Sequence, residues 1–533
     1  MKRLKCHEVM ECPENSYAAL KGHASLRPDD TGLIFPLAGA RLTYAQWLDQ
    51  SNRLASALQG MGVKSGDRVG LWAENRAEWA VAMTALAALG AVLVPVNTHF
   101  REEDLHYVMT HSSASVLILS ERYRNNSYLQ MALGQRADLP HLREIVCFEE
   151  VNLPGVRSYQ ELIKSSSSSF EPAATPEGTL GSIQYTSGTT GRPKGAELSF
   201  SGMMLNAAIT AKRLELGPKD RWTSIIPLFH CAGCIMNLTG CLYAGAAYVG
   251  VPSFDAEAML QIVESERCTL LTGVPTSFLA MLEHPARSKH DLSSLRSGTC
   301  GGADCDPSVL ERCAKEFPIP GLVQVYGQTE SSTLISLDTP ASEHRWATAG
   351  LALDGTSLRV THPETRDPLP FGQIGQIEVC GPTVMLGYHR QPNETAQTID
   401  AEGWMQTGDL GYLREDGRLV IAGGRLRDMI IRGGENIYPV EIENLLREHP
   451  AVHEIAVFGE PDKYYGETVS ACIQLKREVS ANDLGDFLKG RIAGFKHPVR
   501  YYRVVSWPMT SSGKIRKRDL REMAAAKTLE LLE

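Results

Sequence analysis

A run of small residues at 186–191 has the composition of an anion-binding loop. Its glycines let backbone N–H groups approach an anion without a Cβ atom in the way, and Lys194 adds positive charge. A predicted strand at 180–185 leads directly into the run, which is unusual for a flexible linker. Pro193 precedes the lysine, so this is not a Walker A loop. The segment predicts a different triphosphate loop, with Thr186, Ser187, Gly188, Thr189, Thr190 and Lys194 as donors.

Two more polar segments follow predicted strands, at 301–304 and at 326–330. The second reads Tyr-Gly-Gln-Thr-Glu, in which a tyrosine can stack on adenine and a threonine hydroxyl can hold a phosphate. Its glutamate, Glu330, can hold Mg²⁺. Ligands bind outside the carboxyl ends of parallel strands, so this position favours a binding segment over a simple turn.

Segment 186–195 resembles the signature loop of the adenylate-forming superfamily, which includes acyl-CoA synthetases, aryl-CoA ligases, luciferases and adenylation domains. Further motifs stand in the order that this family shows, and the resemblance extends from about residue 28 to about residue 519. They are Pro-Leu-Phe-His at 227–230, Tyr-Gly-Gln-Thr-Glu at 326–330, Thr-Gly-Asp at 407–409, Gly-Gly-Glu-Asn-Ile-Tyr-Pro at 433–439 and Pro-Met-Thr-Ser-Ser-Gly-Lys at 508–514.

The resemblance implies roles for these motifs in ATP binding. Asp409 is expected to take the ribose hydroxyls, Glu330 to hold Mg²⁺, and Lys514 to reach the substrate carboxylate and the α-phosphate. The implied ATP-binding residues are Thr186, Ser187, Gly188, Thr189, Thr190, Lys194, Gly302, Ala303, Asp304, Tyr326, Gly327, Gln328, Thr329, Asp409, Arg425 and Lys514. The implied catalytic residues are Lys514, Glu330, Thr186 and His230.

The resemblance also places an acyl pocket, a coenzyme A tunnel and a hinge. Gly433 and Gly434 are expected to line the tunnel, because glycine permits close backbone approach. Arg427 stands at the hinge position, where the family more often has lysine or aspartate. The implied pocket residues are His230, Cys231, Gly233, Gly301, Ala303 and Gly327.

The residues around His230 bear on the substrate, although an isolated histidine after an apolar strand is more often a core residue. Amino-acid-activating relatives carry an aspartate in this region, whereas Cys231, Ala232 and Gly233 stand here. A buried ammonium without a partner would be unfavourable by several kcal/mol, so an α-amino acid is not expected. The sequence favours a hydrophobic acid, first a medium- or long-chain fatty acid and second an aryl or cyclic acid.

Two alternatives concern the reaction itself. The acyl adenylate could pass to a separate carrier protein instead of coenzyme A. The chain could instead be a nucleotide-binding regulatory protein without activity, although the completeness of the motifs favours an enzyme.

The strand and helix patterns that must position these motifs predict an α/β protein. Strand and helix patterns alternate before and after the signature loop, which predicts two doubly wound sheets. Short strands punctuated by Gly, Pro and Asp at 351–419 predict a small β-barrel or antiparallel sheet. A smaller mobile α+β domain is expected to follow, which gives domains at 1–426 and 427–533.

Composition limits the partners and the compartment. A net charge of −9 argues against nucleic-acid binding, and the apolar run at 79–96 is interrupted by Gly90 and Pro95, so integral membrane association is not expected. Twelve scattered cysteines read as buried free thiols rather than disulfides or a zinc site, which favours the cytoplasm. The expected partners are the acid, ATP and coenzyme A, and the sequence does not separate a monomer from a homodimer.

Overall fold

The computed structural model describes residues 5–186, 193–302, 307–425, 428–432, 435–462, 465–489, 491–492, 494–509 and 515–532, with the backbone alone at 423–425, 431, 435–436 and 466. The chain divides into two compact units. The first comprises Met1–Leu358 and Val379–Met405, and the second comprises Arg359–Glu378 and Gln406–Glu533. The boundary predicted between residues 426 and 427 separates an N-terminal domain from a mobile C-terminal domain. That boundary stays a prediction.

The first sheet of the larger unit carries the signature hairpin. The strand Leu180–Thr186 pairs antiparallel with Lys194–Ser199 on one side and parallel with Val92–Pro95 on the other. Its described strands lie in the order Gly387–Tyr388, Lys194–Ser199, Leu180–Thr186, Val92–Pro95, Arg68–Trp72, Val116–Leu119, Glu144–Cys147 and Val156–Ser158.

The second sheet of this unit is parallel in its centre and antiparallel at both edges. The hairpin Thr31–Phe35 and Ala40–Thr43, which the sequence patterns did not predict, closes one edge. Its described strands lie in the order Leu351–Ala352, Thr333–Leu337, Gly321–Gln328, Ser297–Cys300, Leu270–Gly273, Arg221–Ser224, Ala247–Gly250, Thr31–Phe35 and Ala40–Thr43.

Helices cover these sheets. The described α-helices of this unit are Cys6–Val9, Ser16–Leu26, Tyr44–Gly60, Ala77–Leu89, Glu102–Ser112, Tyr128–Gln135, Tyr159–Ser165, Phe200–Arg213, Gly240–Ala244, Ala256–Ser265, Pro275–Leu282, Pro307–Glu316 and Pro392–Thr398. A π-helix spans Ala232–Thr239. Short 3₁₀ turns lie at Pro36–Ala38, Arg136–Asp138, Arg287–Lys289 and Thr329–Ser331.

The apolar run at 79–96 is buried in the core of the protein. Its helix, Ala77–Leu89, has buried residues on all sides and ends at Gly90, whose φ of +64° is the left-handed conformation that glycine adopts without strain. The strand Val92–Pro95 follows. In the described part of the chain, no helix is both long and apolar enough to cross a membrane.

Among the described residues, the smaller unit and the segments that lead into it contain two sheets. The strands Ser357–Thr361, Gly375–Cys380, Met405–Leu413 and Leu419–Arg425 form a sheet at the position of the predicted small β-barrel. The other sheet consists of Glu435–Ile437, Ile430–Arg432, Val452–Asp462, Gly466–Leu475, Arg500–Arg503 and Glu530–Leu531. Its described helices are Pro439–Arg447, Ala481–Leu488 and Lys517–Ala525, with a 3₁₀ turn at Gly494–Lys496. The predicted α/β class, with a large N-terminal domain and a smaller C-terminal one, is confirmed.

One buried aspartate joins the starts of three neighbouring parallel strands. Asp220 precedes Arg221–Ser224 and accepts hydrogen bonds from Arg296 Nε at 2.8 Å and from Thr269 Oγ1 at 2.7 Å. Thr269 stands directly before the neighbouring strand Leu270–Gly273, and Arg296 stands directly before Ser297–Cys300, the next strand in the sheet. Burial acts to raise the pKa of the Asp220 carboxyl, but these hydrogen bonds outweigh it and the pKa lies below its ordinary value.

Replacing Asp220 with asparagine should therefore lower the free energy of unfolding by about 2 kcal/mol at neutral pH, because Arg296 loses its charged partner. The carboxylate contributes stability above its unfolded pKa of about 3.9, and this contribution is lost as the pH falls through the lower folded value. The difference between the two proteins in denaturant unfolding should then shrink in acid. As a control, Asp486→Asn removes an exposed partner of Lys489 and should change little. A difference that is constant with pH would contradict this assignment.

Candidate active site

The signature segment is flanked by the two arms of an antiparallel hairpin. Tyr185 pairs with Gly195 and Thr186 pairs with Lys194, so the two arms meet on both sides of residues 187–192. The Thr186 hydroxyl donates to the Lys194 carbonyl at 3.4 Å. Ser187, Gly188, Thr189 and Thr190 lie outside the described residues.

Helix Glu102–Ser112 braces both arms of this hairpin. The Tyr107 hydroxyl donates to the Pro193 carbonyl at 2.9 Å. His111 Nδ1 lies 2.9 Å from the Tyr185 hydroxyl. The sequence patterns gave no sign of these contacts, which join residues more than seventy positions apart. They hold the two arms of the hairpin.

Lys194 is part of a charged network that the sequence did not predict. Its ammonium group forms an ion pair with Glu394 and lies 5.1 Å from the centre of the Tyr388 ring. Its side chain is 15% exposed, so the charge is largely withdrawn from solvent and needs these partners. Pro392 at the start of helix Pro392–Thr398 is a helix-start signal that sequence could show, but the contact spans two hundred residues.

Glu330 lies in the turn Thr329–Ser331, directly after strand Gly321–Gln328. Its Oε1 accepts a hydrogen bond of 2.9 Å from the Tyr388 hydroxyl. Its carbonyl oxygen accepts from the Met385 N–H at 2.7 Å. Mg²⁺ is usually bound by one or two carboxylates together with substrate phosphates and water. The Glu330 carboxylate fits such a site, because the bond from Tyr388 uses only one of its two oxygens.

The residues that precede the Glu330 turn are held by close backbone contacts. Tyr326, Gly327 and Gln328 end the strand Gly321–Gln328, whose pairing with Thr333–Leu337 shifts register between Tyr326 and Gly327. A Cβ atom on Gly327 would lie 1.8 Å from the Thr333 carbonyl oxygen. Only glycine fits there, because no side chain tolerates that distance.

His230 and Cys231 lie after strand Arg221–Ser224 of the same sheet, and Cys231 contacts this segment. His230 is exposed, and its Nδ1 accepts from the Ala232 N–H at 3.1 Å. The buried Cys231 thiol lies 3.7 Å from His230 Nδ1 and 3.5 Å from Thr329 Oγ1. Burial acts to raise the pKa of Cys231, but His230 and the neighbouring threonine hydroxyls outweigh it, so the pKa is lowered. The predicted pocket residue Cys231 thus touches the predicted phosphate residue Thr329.

The π-helix Ala232–Thr239, which begins just after Cys231, was not predicted. Wide turns of this kind occur most often at functional sites, and its Thr239 hydroxyl donates to the Cys234 carbonyl at 2.8 Å. Behind it lies a cavity of about 30 Å³, bounded by this helix, strand Leu180–Thr186 and helices Ala77–Leu89 and Phe200–Arg213. Gln184 Nε2 donates to the Cys234 thiol at 3.3 Å, and burial raises the pKa of Cys234 to about 12.

The cavity is apolar on most sides and carries no charged side chain among the described residues that line it. Its size is enough for about two water-sized groups. Its lining residues are Ser16, Met83, Leu86, Ala87, Ala91, Leu93, Gly181, Ser182, Gln184, Phe200, Met203, Met204, Cys234, Ile235 and Thr239. Gln184 belongs to the same strand as Thr186, so the cavity lies behind the start of the signature segment.

Several predicted residues follow the carboxyl ends of parallel strands in one sheet. Segment 225–230 follows Arg221–Ser224, Gly301 and Gly302 follow Ser297–Cys300, and Thr329 follows Gly321–Gln328. Gly301 is half-buried, Gly302 is exposed with a φ of +76°, and Gly233 is buried near Pro227. This edge of a parallel sheet is where ligands bind in doubly wound proteins.

The smaller unit brings together the backbones of two predicted ATP-binding residues, Asp409 and Arg425. Asp409 and Arg425 are paired across strands Met405–Leu413 and Leu419–Arg425. The Asp409 N–H donates to the Thr407 hydroxyl oxygen at 3.1 Å, and that hydroxyl donates to the Ile377 carbonyl at 2.8 Å. Other predicted residues, namely Ala303, Asp304, Arg427, Gly433, Gly434 and Lys514, lie outside the described residues.

Two family profiles match this chain. The one described as "AMP-binding enzyme" matches residues 20–389, and the one described as "AMP-binding enzyme C-terminal domain" matches residues 441–514. Together they include the signature hairpin, Glu330 and Lys514.

Curated relatives and a solved structure agree with the profiles. The chain is 37% identical to "Putative acyl-CoA synthetase YngI" of Bacillus subtilis (strain 168), over 96% of each chain. It is 32% identical to "Medium-chain acyl-CoA ligase ACSF2, mitochondrial" of Homo sapiens, over 98% of this chain and 88% of that protein. A crystal structure of the anthranilate CoA ligase AuaEII with anthranoyl-AMP superposes with a TM-score of 0.87 at 28% identity, covering 98% of this chain and 100% of the other. The chain therefore belongs to the family of AMP-binding enzymes.

Proposed function

We propose that this enzyme is an AMP-forming acyl-CoA synthetase that activates a hydrophobic carboxylic acid as its acyl adenylate. The observation that carries the proposal is one arrangement in the larger unit. Strand Leu180–Thr186 ends at the start of the signature segment 186–195, and its Gln184 lines an uncharged cavity. A phosphate-binding loop and an apolar acid pocket built on one strand suit a reaction that joins an acid to a nucleotide.

In the first half-reaction, a carboxylate oxygen of the acid attacks the α-phosphorus of ATP. The bond from that phosphorus to the bridging oxygen breaks, pyrophosphate leaves, and an acyl adenylate forms. The protein supplies positioning and charge stabilisation for this in-line displacement. Thr186, Ser187, Gly188, Thr189, Thr190 and Lys194 would hold the phosphates, and Lys514 would stabilise charge at the substrate carboxylate and the α-phosphate.

Other residues would orient the nucleotide. Tyr326 and segment 302–304 would lie against adenine, with Gln328 and Thr329 nearer the phosphates. Asp409 would hold the ribose, and Arg425 would help at the ribose or the phosphates. Glu330 would hold Mg²⁺, which neutralises phosphate charge when bound. His230 would stand between the nucleotide and the acid.

In the second half-reaction, the coenzyme A thiol attacks the acyl carbon and AMP leaves. Gly433 and Gly434 would line the path of the pantetheine arm. They and Lys514 belong to one small domain but serve different half-reactions. We therefore place a hinge at Arg427, about which the domain 427–533 rotates between the two steps.

The acid is proposed to be a medium- or long-chain fatty acid. Methionine, leucine and phenylalanine side chains line the cavity behind the π-helix, and the human relative is named a medium-chain ligase. The cavity of about 30 Å³ is too small for a whole acyl group, and its described lining includes none of the pocket residues that the resemblance implies, so it would take only the far end of the chain. Burial of the chain would supply about 0.8 kcal/mol for each methylene.

An aryl or cyclic acid is the second candidate, because the structural neighbour AuaEII is an anthranilate CoA ligase. A carrier protein as the final acceptor in place of coenzyme A is another alternative. The cysteine content supports a reducing compartment such as the cytoplasm, whereas the name of the human relative places that protein in mitochondria.

ATP–pyrophosphate exchange across acetate, octanoate, palmitate, benzoate and an α-amino acid tests the proposal. Octanoate or palmitate should give the highest specificity constant, with benzoate as the expected best substrate under the aryl alternative. The proposal fails if acetate or the amino acid is preferred, or if no acid supports exchange. Adding coenzyme A or a panel of carrier proteins to the preformed adenylate then identifies the acceptor.

The cavity wall offers a test of chain length. Met204→Ala should enlarge the cavity and raise the specificity constant for dodecanoate relative to octanoate by about 10-fold, since two further methylenes would be buried. The control is Met281→Ala, which removes an equally buried methionine from another core cluster. Both variants should lose about 3 kcal/mol of stability, but only the first should change the preference. If the two variants showed the same preference between dodecanoate and octanoate, the acid would have to bind elsewhere in the protein.

A further inference from the structure

Tyr388 stands between the signature hairpin and Glu330. Its short strand, Gly387–Tyr388, pairs antiparallel with Lys194–Ser199, with Tyr388 opposite Ala196. Its N–H donates to the Thr395 hydroxyl oxygen at 2.8 Å. The backbone of Tyr388 is therefore fixed both by the hairpin and by the helix Pro392–Thr398.

The ring of Tyr388 is fixed as well. The Lys194 ammonium lies 5.1 Å from the ring centre, and its ion pair with Glu394 of helix Pro392–Thr398 keeps it there. A cation at a ring face is attracted by the negative π-surface, and the attraction is stronger where water is limited. The tyrosine hydroxyl thus has a defined position before any ligand binds.

That hydroxyl donates to Glu330 Oε1 at 2.9 Å. A tyrosine hydroxyl, whose ordinary pKa is about 10, is protonated and can donate at neutral pH. The same chain segment also holds the Glu330 backbone, through the Met385 N–H and the Glu330 carbonyl at 2.7 Å. One oxygen of the Glu330 carboxylate accepts the hydrogen bond from Tyr388. That bond sets the direction in which the other oxygen points.

We propose that Tyr388 is a positioning residue that orients the Glu330 carboxylate for Mg²⁺, and that it links this carboxylate to Lys194 of the signature hairpin. The inference rests on the proposed function only in giving Glu330 the role of metal ligand. Outer-shell hydrogen bonds fix the rotamer of a ligating side chain, and their removal typically lowers metal affinity or activity 10- to 100-fold. Tyr388 would act through Glu330 and would not touch the reacting atoms.

The test is Tyr388→Phe, which removes one hydroxyl and keeps the ring against Lys194. ATP affinity is measured by calorimetry with and without Mg²⁺. The gain in affinity that Mg²⁺ gives the parent should fall by about 10-fold in the variant. Affinity without Mg²⁺, and affinity for AMP, should remain unchanged. In pyrophosphate exchange, the free Mg²⁺ needed for half-maximal rate should rise by about 10-fold.

The control is Tyr128→Phe, because the Tyr128 hydroxyl is also buried and donates to the Thr98 carbonyl at 2.6 Å. Both variants should show a similar loss in thermal stability, but only Tyr388→Phe should change the Mg²⁺ dependence. An unchanged or tighter Mg²⁺ response in Tyr388→Phe overturns the proposal. So does a loss of ATP affinity that is equal with and without Mg²⁺, since that indicates packing alone.

The two proposals fail in distinguishable ways. A parent protein that binds ATP more tightly with Mg²⁺ but exchanges pyrophosphate with no acid would refute the synthetase function. The calorimetric comparison would still decide the role of Tyr388. A parent whose ATP binding ignores Mg²⁺ would refute the metal role of Glu330 and the positioning role with it.

Discussion

Replacing Lys514 with alanine is expected to slow acyl adenylate formation by at least about 100-fold, because removal of a single charge-stabilising donor costs about 3 kcal/mol in the barrier. Lys514 ends the stretch matched by the C-terminal family profile, and its ammonium is a compact charge that a nearby neutral side chain cannot replace. The measurement is single-turnover release of pyrophosphate with saturating acid and ATP.

The thioester step should be spared in this variant. A supplied acyl adenylate should react with coenzyme A at the parent rate, because Lys514 is assigned to the adenylation step alone. Arg518→Ala is the matched control, since Arg518 is exposed and pairs with Glu522 at 2.8 Å within its own helix. Adenylation at the parent rate in Lys514→Ala, or equal loss in Arg518→Ala, would refute the assignment.

The features that a sequence can show are those set by local patterns. The helix Tyr44–Gly60 has Thr43 and Gln46 as a capping box, with Trp47, Leu54 and Leu58 buried along one face. Gly90 ends the helix Ala77–Leu89 by adopting a left-handed conformation. Strand-then-polar-loop patterns likewise placed the predicted site residues after parallel strands, because that edge follows from the topology.

The features that sequence missed depend on partners distant in the chain. Tyr388 and Glu330 are 58 residues apart, and Lys194 and Glu394 are 200 apart. No periodicity connects such pairs, since their meeting depends on the packing of several elements. The π-helix was missed for a related reason, because one wide turn leaves no distinct pattern in a buried apolar segment.

Replacing Gly327 with alanine is expected to disrupt the adenine and phosphate segment that it precedes. The new Cβ would lie 1.8 Å from the Thr333 carbonyl oxygen and 2.6 Å from Leu334 Cα, both backbone atoms that cannot rotate away. The strand end must shift, which should destabilise the protein by about 3 kcal/mol. Misplacement of catalytic groups by about 1 Å can lower rates about 100-fold, and we expect pyrophosphate exchange to fall by that much.

The loss of pyrophosphate exchange in Gly327→Ala should be larger than the decrease in its folded fraction explains. Exchange and AMP affinity are therefore compared at a temperature where the circular dichroism of Gly327→Ala shows the folded state. Gly134→Ala is the control, since a Cβ there meets no atom within 4 Å and the position lies in helix Tyr128–Gln135. That change should stabilise the protein by about 0.5 to 1 kcal/mol and leave exchange intact. A folded Gly327→Ala protein with parent AMP affinity and parent exchange would show that the close approach at Gly327 does not position Tyr326 and Thr329.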